Sequence, residues 1–143
     1  MSVFSLPRIL GIEDDPVQQM ILDRVASQVR PQLRITWANN AEEARWELDF
    51  SDFDLVIADV ALGRGPSGLE LWENAKNGRW EMPFLFVTSL GYESFLAGIG
   101  PFEVSPPYLS KPIYPGEAIQ VIASLLKLDP REDRPRLNTS RAP

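Results

Sequence analysis

Five short apolar runs, separated by longer segments of mixed polarity, constrain the fold of this chain more than any other feature of its sequence. We predict strands at these runs, which are Arg8 to Ile12, Leu33 to Trp37, Asp54 to Ala58, Phe84 to Ser89 and Tyr108 to Ser110. The third and fourth runs are continuously apolar rather than alternating, which is typical of central parallel strands covered on both faces.

The first two intervening segments carry clear helix signals. Asp15 and Pro16 supply an N-cap and a first-turn proline, and apolar residues then recur at a spacing that predicts one buried helix face. These residues are Val17, Met20, Ile21, Val25 and Val29. Asn40 followed by Glu43 resembles a capping box that opens a second helix through Leu48.

The later helices are marked less evenly. Gly78 fits the end of a helix that begins near Ser67. Glycines and prolines interrupt the segment from Leu90 to Pro107, so we expect only a short helix there, near Tyr92 to Ile99. A last helix is indicated by Ala118, Ile119, Ile122, Leu125 and Leu126. This (βα)5 alternation predicts an α/β fold, a parallel sheet with helices on both faces and right-handed crossovers.

The length of 143 residues fits a single core. We predict one domain over residues 1–128 and, because residues 129–143 are rich in proline, arginine and polar side chains, a disordered C-terminal tail. The four tryptophans are interpreted as packing residues; they are Trp37, Trp46, Trp72 and Trp80.

Charge and composition exclude several classes of function. The net charge of −6 leaves no basic surface for nucleic acid or an anionic membrane. The absence of cysteine and histidine removes disulfides, Cys–His and Ser–His–Asp catalysis and most transition-metal sites, which leaves carboxylates, hydroxyls and lysines for any chemistry. With no leader segment and no stretch long enough to span a bilayer, we expect a cytoplasmic protein.

Polar side chains cluster where the predicted strands end. Ligands of open parallel sheets bind outside the carboxyl ends of the strands, near the point where the strand order reverses. The residues expected at that edge are Glu13, Asp14, Asp59, Thr88, Ser89 and Lys111.

Three carboxylates brought together in this way repel one another unless a cation lies between them. Ligation by oxygen alone, without histidine or cysteine, indicates Mg²⁺ or a similar hard ion. With a metal and Lys111 withdrawing charge, a carboxylate can act as a nucleophile toward a phosphoryl group, and Asp59 is the best placed to attack.

Four motifs in order resemble the receiver domain of bacterial two-component response regulators, of the kind found in the chemotaxis regulator. They are Ile12-Glu-Asp-Asp15, Asp54-Leu-Val-Ile-Ala-Asp59, Phe86-Val-Thr-Ser89 and Ser110-Lys-Pro112, within a resemblance that covers about residues 7–128. The resemblance implies a flavodoxin-like, doubly wound five-stranded sheet in the order 2-1-3-4-5.

The resemblance also implies a magnesium-dependent phosphoacceptor site. Asp59 corresponds to the phosphoacceptor and, with Asp14, to the direct Mg²⁺ ligands; Glu13 lies near the metal, and the backbone carbonyl of Ala61 completes the protein ligands. Lys111 corresponds to the lysine that pairs with the phosphoryl group, and its bond to Pro112 to a cis peptide.

A switch and a set of partners follow from the same resemblance. Thr88 corresponds to the hydroxyl that binds a phosphoryl oxygen, and Tyr108 to the aromatic whose rotamer follows it, although a core aromatic is an equally good interpretation of Tyr108. The implied function is phosphoryl transfer from a histidine kinase or phosphotransfer protein, with self-catalysed phosphorylation and dephosphorylation only and no enzymatic turnover. Output then requires another protein or a missing output domain, and a homodimer is compatible with it.

Several departures from the family pattern keep alternatives open. The loop from Gly63 to Ser67 is about one residue longer than usual, Pro106-Pro107 replaces the common Gly-Ala, and the fourth helix is broken by glycine. One alternative is therefore a receiver-like module that docks a partner independently of phosphorylation. Another, an aspartate-nucleophile phosphatase, is disfavoured because Ala61 occupies the position of the second carboxylate that such an enzyme needs.

Overall fold

A computed structural model describes residues 6–60, 68–89, 91, 97 and 106–128. The chain forms five strands and four helices in this described part. They are β1 (Ile9–Ile12), α1 (Pro16–Val29), β2 (Ile35–Ala38), α2 (Ala41–Phe50), β3 (Leu55–Ala58), α3 (Gly68–Lys76), β4 (Phe84–Thr88), β5 (Tyr108–Ser110) and α4 (Pro115–Leu125). No helix in these ranges is long and apolar enough to cross a membrane.

The strands form one parallel sheet in the order β2-β1-β3-β4-β5, which confirms the predicted flavodoxin-like fold. Ile12 is in register with Ala38 on one side and with Ala58 on the other. The chain segments that follow β1, β2 and β3 therefore begin at the same level, on the carboxyl edge of the sheet. This register places the residues after β1 and β3 next to each other.

Each face of the sheet has its own hydrophobic core, because successive side chains of a buried strand point to opposite faces. Leu10, Val56 and Phe86 point to the side covered by α2 and α3. Ile9, Leu55 and Ile57 point to the side covered by α1 and α4. Both faces being covered explains why β3 is apolar at every position and β4 at every position before Thr88.

The predicted register of α1 is partly wrong. Val25 and Val29 are buried as expected, but Val17 and Met20 are 54% and 58% exposed. The residues that complete the buried stripe are Leu22 and Ala26. With Val25 and Val29 they follow the i, i+3, i+4, i+7 spacing of one helix face, whereas Val17 and Met20 lie on the opposite side.

Only part of the prediction for the tryptophans holds. Trp72 and Trp80 are buried, and the half-buried Trp37 lies against β1, where a Cβ on Gly11 would come within 2.3 Å of its ring. Trp46, by contrast, is 61% exposed, so its interpretation as a packing residue is wrong. The buried stripe of α2 consists of Ala41, Ala44 and Leu48, and Trp46 points away from it.

The predicted caps are present at both early helices. The Asp15 side chain accepts a hydrogen bond from the Val17 N–H at 2.9 Å, directly before Pro16. The Asn40 side chain accepts one from the Glu43 N–H at 2.8 Å, and the Glu43 carboxylate accepts one from the Asn39 N–H. The second contact differs from the usual capping box, in which the acid returns to the N-cap residue itself.

Several predictions lie outside the described residues. They are the carbonyl of Ala61, the loop from Gly63 to Ser67, the tail at residues 129–143 and, apart from Ala97, the short helix near Tyr92 to Ile99. Gly78 follows α3 with φ of 93°, a backbone conformation that favours glycine, as predicted for the end of that helix.

An exposed polar cluster joins the end of α2 to the segment that leads into β4. Arg79 donates two hydrogen bonds to Asp49, at 3.2 and 2.7 Å, and the Trp80 indole N–H donates a third at 3.1 Å. The hydrogen bonds from Arg79 are the main cause that lowers the pKa of Asp49 below its usual value.

This cluster predicts a defined pH dependence of stability. The pKa of Asp49 is lower in the folded chain than the value of about 3.9 expected when unfolded, so its contribution is present at neutral pH and is lost as the pH falls through the folded-state pKa. Urea unfolding should show Asp49→Asn less stable than wild type at pH 7, with the difference shrinking below about pH 4. Asp52→Asn serves as the exposed control. A difference that is the same at pH 7 and pH 3 would contradict the assignment to this carboxylate.

Candidate phosphoacceptor site

Glu13 and Asp59 are held side by side by the backbone at the carboxyl edge of the sheet. The Asp59 N–H donates to the carbonyl of Ile12 at 3.1 Å, and the Glu13 N–H donates to the carbonyl of Ala38 at 3.1 Å. Parallel pairing thus continues one residue past β1 and β3. The backbone that carries both carboxylates is therefore held by the same hydrogen-bond pattern as the strands.

Lys111, directly after β5, links the two carboxylates. Its ammonium nitrogen lies 2.8 Å from Oδ2 of Asp59 and 3.0 Å from Oε1 of Glu13. The Lys111 N–H also donates to the carbonyl of Thr88 at 2.9 Å, which fixes the start of the lysine's loop to β4. Three residues that are 46 or more positions apart in the chain are therefore brought into direct contact.

The ammonium of Lys111 stays charged in this position. Partial burial acts to lower its pKa, but the hydrogen bonds to Asp59 and Glu13 outweigh burial and raise the pKa above its usual value. The arrangement places the positively charged ammonium of Lys111 2.8 Å from Oδ2 of Asp59.

Glu13 is more constrained than the sequence suggested. It is only 4% exposed, its Oε1 accepts from Lys111, and its Oε2 accepts from the Asp15 N–H at 3.2 Å. Gln19, which sequence reasoning missed, donates through its side-chain amide to the carbonyl of Glu13 at 2.7 Å. A glutamine on the first turns of a helix gives no signal in the sequence, because its partner is a backbone carbonyl in the preceding loop.

Asp14, the residue after Glu13, differs from Glu13 and Asp59 in exposure. Its residue is exposed to solvent, whereas Glu13 is buried and Asp59 half-buried. Within residues 6–60, 68–89, 91, 97 and 106–128, no group of three or more His, Cys, Asp or Glu side chains is arranged to hold a metal ion by itself. Ala61, the remaining predicted ligand, is not among those residues.

The donor set nevertheless fits Mg²⁺. All candidate ligands are oxygens, and Lys111 links the two that lie side by side, the carboxylates of Glu13 and Asp59. Mg²⁺ prefers oxygen, keeps several of its waters and is commonly bound through one or two carboxylates together with the phosphates of a substrate. A complete cage of three protein carboxylates is therefore not required.

The predicted switch residues lie on β4, which pairs with β3, and on β5, which pairs with β4. Thr88 is fully buried at the end of β4, in register with Ser110 of β5. Tyr108 is half-buried, packs against the core under α2 and α3, and accepts a hydrogen bond at its hydroxyl from Oγ of Ser110 at 3.2 Å. Ser89 is exposed at the rim, and the peptide bond between Lys111 and Pro112 is cis.

Comparison with known proteins identifies the family. The model of the response regulator receiver domain matches residues 9–123. The chain therefore belongs to the response regulator receiver domain family, a class of signalling domains in two-component systems that generally binds Mg²⁺ at its phosphorylation site and interacts with histidine kinases and output domains. A search of curated proteins found no match.

Solved structures agree with this assignment. The chain is similar to the non-phosphorylated HemR receiver domain of Leptospira biflexa, with 29% identity, a TM-score of 0.68 and coverage of 87% of this chain and 97% of that one. It is similar to a CheY-like receiver domain of Methanospirillum hungatei, with 27% identity, a TM-score of 0.66 and coverage of 86% and 95%. A putative response regulator of Chloroflexus aurantiacus shares the fold, with 24% identity, a TM-score of 0.73 and coverage of 86% and 99%.

Proposed function

We propose that the chain accepts a phosphoryl group on Asp59 in a magnesium-dependent reaction and thereby switches an output surface. The observation that carries this proposal is the contact of the Lys111 ammonium with both Asp59 and Glu13, at 2.8 and 3.0 Å. Such a lysine offsets negative charge around Asp59 and leaves the Asp59 carboxylate available as the nucleophile. The type of reaction, phosphoryl transfer, is inferred from the family.

The donor in this proposal is the phosphohistidine of a histidine kinase or phosphotransfer protein, since this chain has no histidine. A carboxylate oxygen of Asp59 forms a bond to phosphorus as the phosphorus–nitrogen bond of the donor breaks, and the departing imidazole nitrogen keeps the electron pair. Lys111 then faces the phosphoryl oxygens with a positive charge, and positioning of this kind accounts for most of the catalysis of phosphoryl transfer.

Mg²⁺ would be held by Asp14 and Asp59 with its own waters, with Glu13 and the carbonyl of Ala61 completing the surroundings. When bound, it neutralises the negative charge of the phosphoryl oxygens. Glu13 holds Lys111 in place, and the Gln19 amide holds the backbone of Glu13. Exposure supports assigning Asp14 to the metal and Glu13 to Lys111, because Asp14 is open to solvent whereas Glu13 is buried.

The switch would run through Thr88 and Tyr108. Thr88 lies on β4 next to the backbone of Lys111, and its hydroxyl would turn to bind a phosphoryl oxygen. Tyr108 is half-buried, so a change of its rotamer alters a surface that a partner protein can read. The output is carried by another protein or by a further domain.

Intact-mass analysis tests the proposal directly. Incubation with acetyl phosphate and Mg²⁺ should add the mass of one phosphoryl group to the folded chain, because Lys111 beside Asp59 and the added metal ion compensate the negative charge of the incoming group. The same incubation with an excess of chelator should add none, and urea-unfolded chain serves as the control for indiscriminate acylation or phosphorylation. The absence of an adduct in the presence of Mg²⁺, or equal adducts with and without the metal, would refute the proposal.

A further inference from the structure

Two large aromatic side chains of α2 stand in solvent side by side. Trp46 is 61% exposed and Phe50 is 70% exposed, and their ring centroids are 5.0 Å apart at an angle of 42°. They are four residues apart and thus lie one above the other on the same side of the helix. We call this surface, with the acids Glu42 and Glu43 one turn above it, the Trp46–Phe50 face.

The fold itself does not require this pair. The side of α2 that packs on the sheet is formed by Ala41, Ala44 and Leu48, which are all buried. Single exposed apolar residues are ordinary, but two adjoining aromatics form a continuous patch of the kind that marks interaction sites. Tryptophan in particular is enriched among residues that dominate binding energy.

The charge around the Trp46–Phe50 face indicates what covers it. α2 carries four acidic residues and a single arginine. Glu42 and Glu43 are exposed, whereas Arg45 is half-buried. Arg79, which contacts the end of α2, already pairs with Asp49 at 2.7 Å. The surroundings are therefore net negative, which favours a cationic partner and opposes a second copy of this acidic chain.

The Trp46–Phe50 face is separate from the phosphoacceptor site. β2 and β3 are parallel neighbours of β1, so α2 must run back from the carboxyl edge of the sheet, where Asp59 lies, toward the amino edge. Phe50 is the last residue of α2 and lies near that opposite edge. A ligand on this face leaves Asp59 and Lys111 accessible.

We propose that the Trp46–Phe50 face docks a positively charged amphipathic helix of a partner protein. Apolar residues of that helix cover the two rings, and its lysines or arginines lie against Glu42 and Glu43. The inference goes beyond phosphoryl transfer, because it gives the chain a second binding surface that does not involve the phosphoacceptor.

The test uses the full chain and two designed peptides labelled with fluorescein. One peptide is an amphipathic helix of leucine and lysine, and the other is the same helix with glutamate in place of lysine. Fluorescence anisotropy should show binding of the lysine peptide and none of the glutamate peptide. Trp46→Ala and Phe50→Ala should each weaken binding of the lysine peptide by about tenfold or more. Met20→Ala, which removes a side chain of similar exposure on α1, should leave the affinity unchanged.

Charge is tested with a matched pair of variants. Glu42→Gln in the first turn of α2 should weaken binding, whereas Glu117→Gln in the first turn of α4 should not. Equal binding of both peptides, or equal losses for Trp46→Ala and Met20→Ala, would overturn the proposal. Sedimentation that shows a dimer of wild type and a monomer of Trp46→Ala would also overturn it, because a second copy would then occupy the face.

Discussion

An Asp59→Asn variant is expected to acquire no phosphoryl group under conditions that phosphorylate the wild-type chain completely. The amide oxygen carries no negative charge and is a far weaker nucleophile toward phosphorus than the carboxylate oxygen. The fold should survive the change. The Asp59 N–H still reaches the carbonyl of Ile12, and the amide oxygen can still accept a hydrogen bond from Lys111 at the position of Oδ2.

The measurement is a time course of intact mass with acetyl phosphate and Mg²⁺, supported by circular dichroism to verify folding. Asp52→Asn is the matched control, because Asp52 is an exposed aspartate in the same stretch of chain that lies before β3 rather than after it. It should be phosphorylated at the wild-type rate. An adduct of undiminished amount on Asp59→Asn would show that another side chain is the acceptor and would remove the basis of the proposed function.

In the proposed reaction Lys111 has a different role from Asp59, since it is neither nucleophile nor leaving group. Its ammonium is held by Glu13 as well as by Asp59, so Lys111 has a fixed position even after the charge of Asp59 changes. Glu13 in turn is fixed by the Asp15 N–H and by the amide of Gln19. These contacts hold the charged side chains in place beforehand, so the side chains need not rearrange during the proposed reaction.

The sheet could be predicted from the sequence because its signals are local and strong. β3 is apolar throughout and β4 is apolar up to Thr88, and the predicted bounds of both strands agree with the structure to within one residue. The edge strand β2 is less well marked, since Thr36 is exposed and Trp37 half-buried, and its observed start at Ile35 differs from the predicted Leu33. Strand order came from the family resemblance and not from periodicity.

The orientation of the helices was harder to predict, because hydrophobicity and burial are different properties. Val17 and Met20 are apolar yet exposed, and the small Ala26 is buried in their place. A short side chain allows close contact of a helix with the sheet but contributes little to any hydrophobic pattern. The exposure of Trp46 was missed for the same reason, as the pattern of Ala41, Ala44 and Leu48 contains two alanines.

The candidate site shows the same division between local and long-range information. Glu13, Asp59 and Lys111 could be nominated because each follows a strand, and the carboxyl ends of parallel strands share one edge. Which oxygen of Glu13 meets Lys111, and that Gln19 supports the loop, depend on contacts between distant segments. No spacing within the sequence encodes such contacts.

Phe86→Ala is expected to lower the free energy of unfolding by about 3–5 kcal/mol, the largest effect on stability that we predict. Phe86 is fully buried at the centre of the core under α2 and α3. Its ring meets Trp72 edge-on, with centroids 6.3 Å apart, and lies 6.1 Å from the ring of Phe84. The start of α3 packs directly on the Phe86 ring, since a Cβ on Gly68 would come within 3.3 Å of it. The same Cβ would come within 3.1 Å of Ala58 and of the Asp59 carbonyl, so α3 cannot move in to fill the space left by alanine without disturbing its contacts with the sheet.

Urea unfolding followed by circular dichroism measures this loss, and Phe50→Ala is the matched control. Phe50 is the same residue type, but it is 70% exposed, so its removal should change the free energy of unfolding by no more than about 0.5 kcal/mol. The slope against urea concentration should stay the same in both variants if the transition remains two-state. Equal losses in the two variants would mean that the ring of Phe50 is covered in solution, or that the core around Phe86 collapses onto the cavity. Because Phe50→Ala is also the variant expected to lose the cationic peptide, an unchanged stability separates its binding defect from any defect in folding.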